Sequence, residues 1–154
     1  MKESGLHFNE DSFNRLFPFF FQLSSDFQIK SFGRSLGKLL PGLKKADSFL
    51  DQFTFSRPQI ENISFEQICT QYCNQFILVK CNVNEVLLKG QFEAVDGSII
   101  FVGSPWFTSM QEILNHKLTF EDFAHTDSSL DLLHIINNSE NIAQELRELV
   151  QTTT

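Results

Sequence analysis

One segment of the chain matches the G-x-S-x-G pattern that presents a nucleophilic serine in hydrolases. It reads Gly33-Arg34-Ser35-Leu36-Gly37 and falls between a predicted strand and a predicted helix, as the strained turn that carries such a serine requires. A serine nucleophile also needs a histidine base and a carboxylate elsewhere in the chain. The residues available for these two roles are His116 or His125 and Asp96 or Asp122.

The surroundings of this segment argue against hydrolysis. The strands predicted before it form a hairpin rather than a parallel pair, no HGGG-like oxyanion loop occurs, and 154 residues are too few for the hydrolase fold. The structural alternative is that Gly33 turns the chain and Ser35 caps the next helix. We therefore predict no catalytic residue and no enzyme activity, and a Ser35 hydrolase remains the third alternative.

Residues that bind metals are scattered along the chain. No histidine occurs from residue 8 to residue 115, so no histidine from this interval is available to hold a haem iron, and only a residue of another type could do so there. Cys69, Cys73 and Cys81 lack the CxxC and Cys/His spacings of zinc sites. We predict that the protein holds no metal and no cofactor, and that its thiols are reduced and buried.

The stretch from Gln75 to Val102 organises the rest of the chain. Asn82-Val83-Asn84 and Asp96-Gly97 separate three runs rich in β-branched and aromatic residues. Asp-Gly between two such runs predicts a hairpin with a type I′ turn. Uneven alternation along the middle run predicts a bulge near Gly90. An earlier hairpin is predicted from residues 19–23 and 27–32.

Short helices are predicted around these strands from capping residues and apolar spacing. They span residues 9–17, 34–40, 48–53, 64–72 and 109–114. The resulting order of helix, two strands, several helices and three strands is that of a PAS-type sensor fold. We predict an α+β fold with a five-stranded antiparallel sheet in the order 2-1-5-4-3, short helices on one face, an N-terminal helix and a C-terminal signalling helix.

Composition and hydropathy argue against nucleic-acid binding and against membrane insertion. A net charge of −7 and a pI near 5.0 argue against a nucleic-acid partner, because phosphate binding depends on clustered Lys and Arg. The apolar run from Leu16 to Phe21 contains Pro18 and is far shorter than the roughly twenty residues of a membrane helix. With a polar first segment as well, the sequence predicts a cytoplasmic protein without membrane insertion.

The segment from Ser128 to Val150 has a heptad-like pattern without Gly or Pro, which predicts a signalling coiled coil. The alternative is an amphipathic helix that folds back on its own domain. We predict a parallel dimer that uses this seam together with the apolar face of the first helix. Its interface comprises Phe13, Leu16, Phe17, Leu132, Ile135, Ile142, Leu146 and Leu149.

Several short motifs follow the order and spacing of one known family. They are Phe13 to Phe19, Gly33 to Leu36, Phe53 with Phe55 to Pro58, Phe65 to Ile68, Leu88 to Gln91, Phe101 to Pro105, and Leu118 to Asp122 with Asp127. Over about residues 12–135 the chain resembles the haem-NO-binding-associated domain, a PAS-like module of soluble guanylate cyclases and bacterial signalling histidine kinases. The first strand is richer in Phe than is usual for the family.

This resemblance implies a dimerising domain that relays a signal to a downstream nucleotide cyclase or histidine kinase, which this chain does not contain. The expected partners are a second copy or a paralogue, and a haem-NO-binding domain or protein. The expected divisions are an N-terminal dimerisation helix (1–17), a PAS-like domain (18–127) and the start of a coiled coil (128–154). The main alternative is a PAS sensor for a small ligand, although 18 phenylalanines favour a filled interior.

Overall fold

Six antiparallel strands form a single sheet in the computed structural model, which describes residues 8–128, 144–147 and 149. The strands are β1 (Phe21–Leu23), β2 (Ile29–Phe32), β3 (Phe53–Arg57), β4 (Ile77–Cys81), β5 (Leu87–Val95) and β6 (Ser98–Pro105). Their order in the sheet is β2-β1-β6-β5-β4-β3, so the hairpin of β1 and β2 lies directly beside β6.

The α+β class is confirmed, but the prediction of five strands was wrong. The additional strand is β3, which pairs with β4 at the edge of the sheet, so the order 2-1-5-4-3 does not describe the whole sheet. The sequence marks residues 55–58 only as part of a family motif, and the predicted strands do not include them. The strand has five residues, and its pairing partner lies far along the chain, so short-range alternation is too brief to identify it.

The turn between β5 and β6 has the geometry that Asp-Gly predicts. Both central residues have positive φ, 45° at Asp96 and 77° at Gly97, as a type I′ turn requires. The predicted bulge near Gly90 was wrong, because β5 and β6 pair without a register shift from Leu88–Pro105 to Val95–Ser98.

The uneven pattern around Gly90 has a different cause. Gly90 faces Gly103 across the two central strands, and a Cβ on either residue would overlap main-chain carbonyl oxygen of the other strand. The ring of Phe101 lies over both glycines. The two glycines therefore provide the space that this ring occupies, and the strands stay regular.

Short helices connect and cover the strands. Asn9 and Ser109 accept the main-chain N–H of the third helical residue at the starts of two of them, as N-cap residues do. The helices are α1 (Glu10–Leu16), α2 (Arg34–Leu39), α3 (Phe49–Gln52), α4 (Phe65–Gln67, continued by a π-helical turn over Ile68–Tyr72) and α5 (Met110–Asn115), with a 3₁₀ turn at Phe120–Asp122.

Aromatic rings fill the space between the sheet and α2, α3 and α4. Phe21 stacks on Phe53 and on Phe101, with ring centroids 4.7 and 4.9 Å apart. Phe49 and Phe92 are fully buried against the same cluster. The space between the sheet and these helices is therefore filled by side chains of the protein itself.

Candidate functional site

The first turn of α2 binds the segment that links α1 to β1. The main-chain N–H groups of Ser35 and Leu36 both donate to the carbonyl oxygen of Pro18, at 3.1 and 3.2 Å. Gly33 precedes the helix, and a Cβ there would overlap the same oxygen. The first N–H groups of a helix have no partner within it, and here the carbonyl oxygen of Pro18 accepts two of them. The absence of a side chain at Gly33 permits this contact.

A buried asparagine joins α1 to α2. The Oδ1 atom of Asn14 accepts the main-chain N–H of Arg34 at 2.8 Å, and its Nδ2 donates to the carbonyl of Glu10 at 3.1 Å. Asn14 is 6% exposed, so losing this bond would leave polar groups unsatisfied away from water. An exposed ion pair between Arg34 and Asp11 lies beside it.

Helix α2 also binds the 3₁₀ turn at Phe120–Asp122. The Ser35 hydroxyl donates to the carbonyl oxygen of Asp122, and Lys38 Nζ lies 2.7 Å from the Asp122 carboxylate. The other oxygen of this carboxylate accepts the Thr119 N–H at 2.8 Å. Helix α2 therefore contacts both the segment that links α1 to β1 and the turn at Phe120–Asp122.

The geometry does not assemble a hydrolase. Ser35, Asp122 and His125 line one cleft of about 280 Å³, but Ser35 donates to a carbonyl and the Asp122 carboxylate is used by Lys38 and Thr119. Within the described residues no hydrogen bond joins His125 to either of them. The G-x-S-x-G segment therefore serves the α2 junction.

The other residues considered for hydrolysis lie elsewhere. His116 stacks on Phe107, and Asp96 lies in the β5–β6 turn. The alternative of Ser35 as a helix cap was also wrong, because the N-cap position of α2 is Gly33, without a side-chain bond.

The thiols are free and lie away from this junction. Cys81 is buried in β4, and burial raises its pKa from 9.0 to about 12. Burial also raises the pKa of Cys73, with smaller contributions from Cys69 and Glu93. Over the residues that the structure describes, no three His, Cys, Asp or Glu side chains come together as metal ligands. In the same part of the chain, every helix is too short or too polar to cross a bilayer.

The segment after the 3₁₀ turn is attached to the centre of the sheet. Ser104 is buried on β6, on the face opposite the aromatic core, and its hydroxyl donates to the Asp127 carboxylate at 2.6 Å. Asp127 directly precedes Ser128, the first residue of the predicted heptad segment. This charge-assisted bond attaches Asp127 to β6.

A groove of about 490 Å³ crosses the same face of the sheet. Its walls are the end of α1, the central strands β5 and β6, and residues 124–128. Leu16 and Phe17 line one side, and Leu16 is 43% exposed. The end of α1 and residues 124–128 therefore line the same groove over the two central strands.

A family model described as Heme NO binding associated matches residues 6–85 and 80–154. The chain belongs to the heme NO binding associated family. The resemblance noted in the sequence is thereby confirmed, and with it a regulatory rather than catalytic type of domain.

A mammalian protein matches most of this chain but only a small part of its own length. Guanylate cyclase soluble subunit beta-2 of Rattus norvegicus is 28% identical over 147 residues, which cover 88% of this chain and 21% of that subunit. The chain thus spans about a fifth of the relative.

The predicted interface of this family member is only partly within the described residues. Phe13 is half-buried, and its ring contacts Phe17 and Phe20 of the same chain, with centroids 5.0 and 4.7 Å apart. Leu146 and Leu149 are exposed helical residues. Leu132, Ile135 and Ile142 lie outside the described residues, so the interface and the division of the chain at 17 and 127 stay predictions.

Sequence reasoning missed the residues that build the junction. Asn14 and Ser104 lay inside longer family motifs without a role of their own, and Asp127 was noted only as part of the family resemblance. Asp122 was noted there too, and as a candidate carboxylate for a hydrolase, which is not the role it has at this junction. An asparagine inside a helix is the one local sign, because Asn is a weak helix former that is kept where its side chain has a partner.

Proposed function

We propose that this chain is a regulatory module that pairs with a second copy or a paralogue and relays a signal to an output domain outside the chain. The output is a nucleotide cyclase or a histidine kinase, and the input comes from a haem-NO-binding domain or protein, all in the cytoplasm. The observation that carries this proposal is the meeting of α1 and residues 124–128 over the same two strands, β5 and β6.

The relay acts through two packings of the chain ends on the sheet. A change in α1 reaches α2 through Asn14 and Pro18, and α2 holds the turn at Asp122 through Ser35 and Lys38. The last step is the Ser104–Asp127 bond at the start of the heptad segment. Bistable contacts of this kind convert small shifts at one site into discrete movements at another.

The free energy of one hydrogen bond is too small to switch the domain between two states, so several contacts must change together. A hydrogen bond to a charged group contributes roughly 1.5–3 kcal/mol, and the Ser104–Asp127 bond is of this type. Moving an equilibrium from 1:99 to 99:1 requires about 5.5 kcal/mol. The signal must therefore change several junction contacts together, and α1, α2 and residues 119–127 act as one unit.

Hydrogen exchange on the isolated chain tests this coupling. Replacing Asp127 by Ala removes the acceptor of Ser104, and we expect faster amide exchange in residues 124–128 and also in α1, which the proposed relay connects to them through α2. Asp26→Ala is the control, because Asp26 is an exposed turn residue of the same charge. A change confined to residues 124–128 would contradict the relay.

The alternative of a small-ligand sensor has less support. The rings of Phe21, Phe49 and Phe53 occupy the space in which such a ligand would bind. A ligand would have to displace packed aromatic side chains, each of which contributes several kcal/mol of burial.

A further inference from the structure

A second cleft lies at the end of the sheet, where the turn between β4 and β5 meets the loop that follows β6. Its volume is about 240 Å³. Trp106 forms one wall and is 47% exposed, while its main-chain N–H donates to Leu87 at 2.8 Å. It is the one tryptophan of the chain. A large aromatic surface is thus held in place by the backbone and left open to solvent.

The walls of the cleft are rigid. Asn84 donates to the carbonyl of Leu39 at 3.2 Å and accepts the N–H of Val86 at 3.1 Å, which fixes the turn to α2. On the other side, Phe107 is buried and stacks on His116 with ring centroids 5.5 Å apart. Such a cleft is formed before any partner arrives, which lowers the cost of binding.

The cleft is acidic. Glu85 and Glu112 line it, and no lysine or arginine does. Glu112 accepts the Thr108 hydroxyl at 2.8 Å, whereas the exposed Glu85 carboxylate has no hydrogen bond or ion pair within the described residues.

We propose that this cleft receives an arginine or lysine side chain from a basic segment of a partner protein. A cation is attracted both to the indole face of Trp106 and to the two carboxylates. The volume is below the roughly 300–1,000 Å³ of small-molecule sites, so it suits one long side chain. The same carboxylates repel phosphates, which argues against nucleotides and nucleic acids.

This cleft does not overlap the groove over β5 and β6. Its lining residues belong to the turn after β4, the first residue of β5, the loop after β6 and the α5 region, and none of them lines the groove. The Asn84–Leu39 bond connects the cleft to α2.

The fluorescence of Trp106 provides the test, since no other tryptophan contributes. The probe is an acetylated and amidated Gly-Arg-Gly peptide, and the control peptide has citrulline, which is uncharged and nearly isosteric, in place of arginine. At constant ionic strength we expect a saturable change in emission with the arginine peptide and none with the citrulline peptide. An equal response to both peptides, or a response that never saturates, would overturn the proposal.

A charge-neutralising variant identifies the anion. Glu85→Gln is expected to weaken binding of the arginine peptide roughly two- to fivefold, the range of one partly exposed ion pair. Glu121→Gln is the control, because it removes the same charge from an exposed residue that does not line the cleft. Equal affinities for wild type and Glu85→Gln would also overturn the proposal, and thermal unfolding of each variant verifies that it is folded.

Discussion

At the scale of single residues, Gly33 is required by the close approach of two backbones. Its φ of −71° is open to any residue, but a Cβ would overlap the carbonyl oxygen of Pro18. We expect Gly33→Ala to destabilise the protein by roughly 1–3 kcal/mol, as overpacking does, and to lower the Tm by several degrees. Gly42→Ala is the control, because nothing lies within 4 Å of the position that a Cβ would take there. Equal Tm values for the two variants would show that the contact is not tight.

Cys81 predicts a pH dependence of stability. Burial raises its pKa from 9.0 to about 12, so above pH 9 the unfolded chain loses the thiol proton while the folded chain keeps it. The unfolded state then binds fewer protons, and stability falls as the pH rises from about 9 to 12. At pH 10 the loss from this group is about 1 kcal/mol. Urea unfolding at pH 7.5 and 10 should show a smaller loss for Cys81→Ala, and identical losses would contradict the assignment.

At the scale of elements, α1 and α2 are joined by one buried hydrogen bond and one exposed ion pair. We expect the buried bond to contribute more to stability. Asn14→Ala removes the acceptor of the Arg34 N–H at a part-buried position, which should cost roughly 1–3 kcal/mol. Asp11→Ala removes the exposed ion pair to the same arginine, which should cost no more than about 1 kcal/mol. Urea denaturation of the two variants gives this order, and the reverse order would show that the ion pair is the main link.

The sequence predicts elements formed by neighbouring residues better than elements that depend on distant pairing. The Asp96-Gly97 hairpin is local, because two adjacent residues with positive φ determine both the turn and the register. Strand β3 pairs with a segment more than twenty positions away, so its existence depends on the whole sheet. At Gly90, weak alternation has two physical causes, a bulge or a close-packed glycine pair, and local pattern cannot separate them.

The same limit applies to the candidate site. Ser35 is conspicuous in the sequence, but its partner, the carbonyl of Asp122, is 87 positions away. Ser104 and Asp127 likewise meet only because residues 124–128 return to β6. The residue types that suggest chemistry could be found from the sequence, and the contacts that decide against it depend on the topology.

At the scale of the whole molecule, two apolar surfaces suit a parallel dimer. One is the exposed end of α1 at Leu16 and Phe17, beside the groove over β5 and β6. The other is the heptad seam, of which Leu146 and Leu149 are exposed in the described residues. Such surfaces are the usual mark of a partner in a protein of this size. Parallel pairing would bring two copies of an output domain side by side, as cyclases and kinases need.

The heptad seam can be tested apart from the sheet. Replacing Ile135 and Ile142 by Lys places charges at two d positions, which an apolar seam does not accommodate. We expect light scattering to give a dimer for the wild type at tens of micromolar and a weaker dimer or a monomer for this variant, with unchanged thermal unfolding of the sheet. Leu50→Lys, at an exposed residue of α3, is the control and should remain dimeric. A monomeric wild type would remove the main support for the relay, whereas a dimer unaffected by the two lysines would leave the surface at Leu16 as the remaining interface.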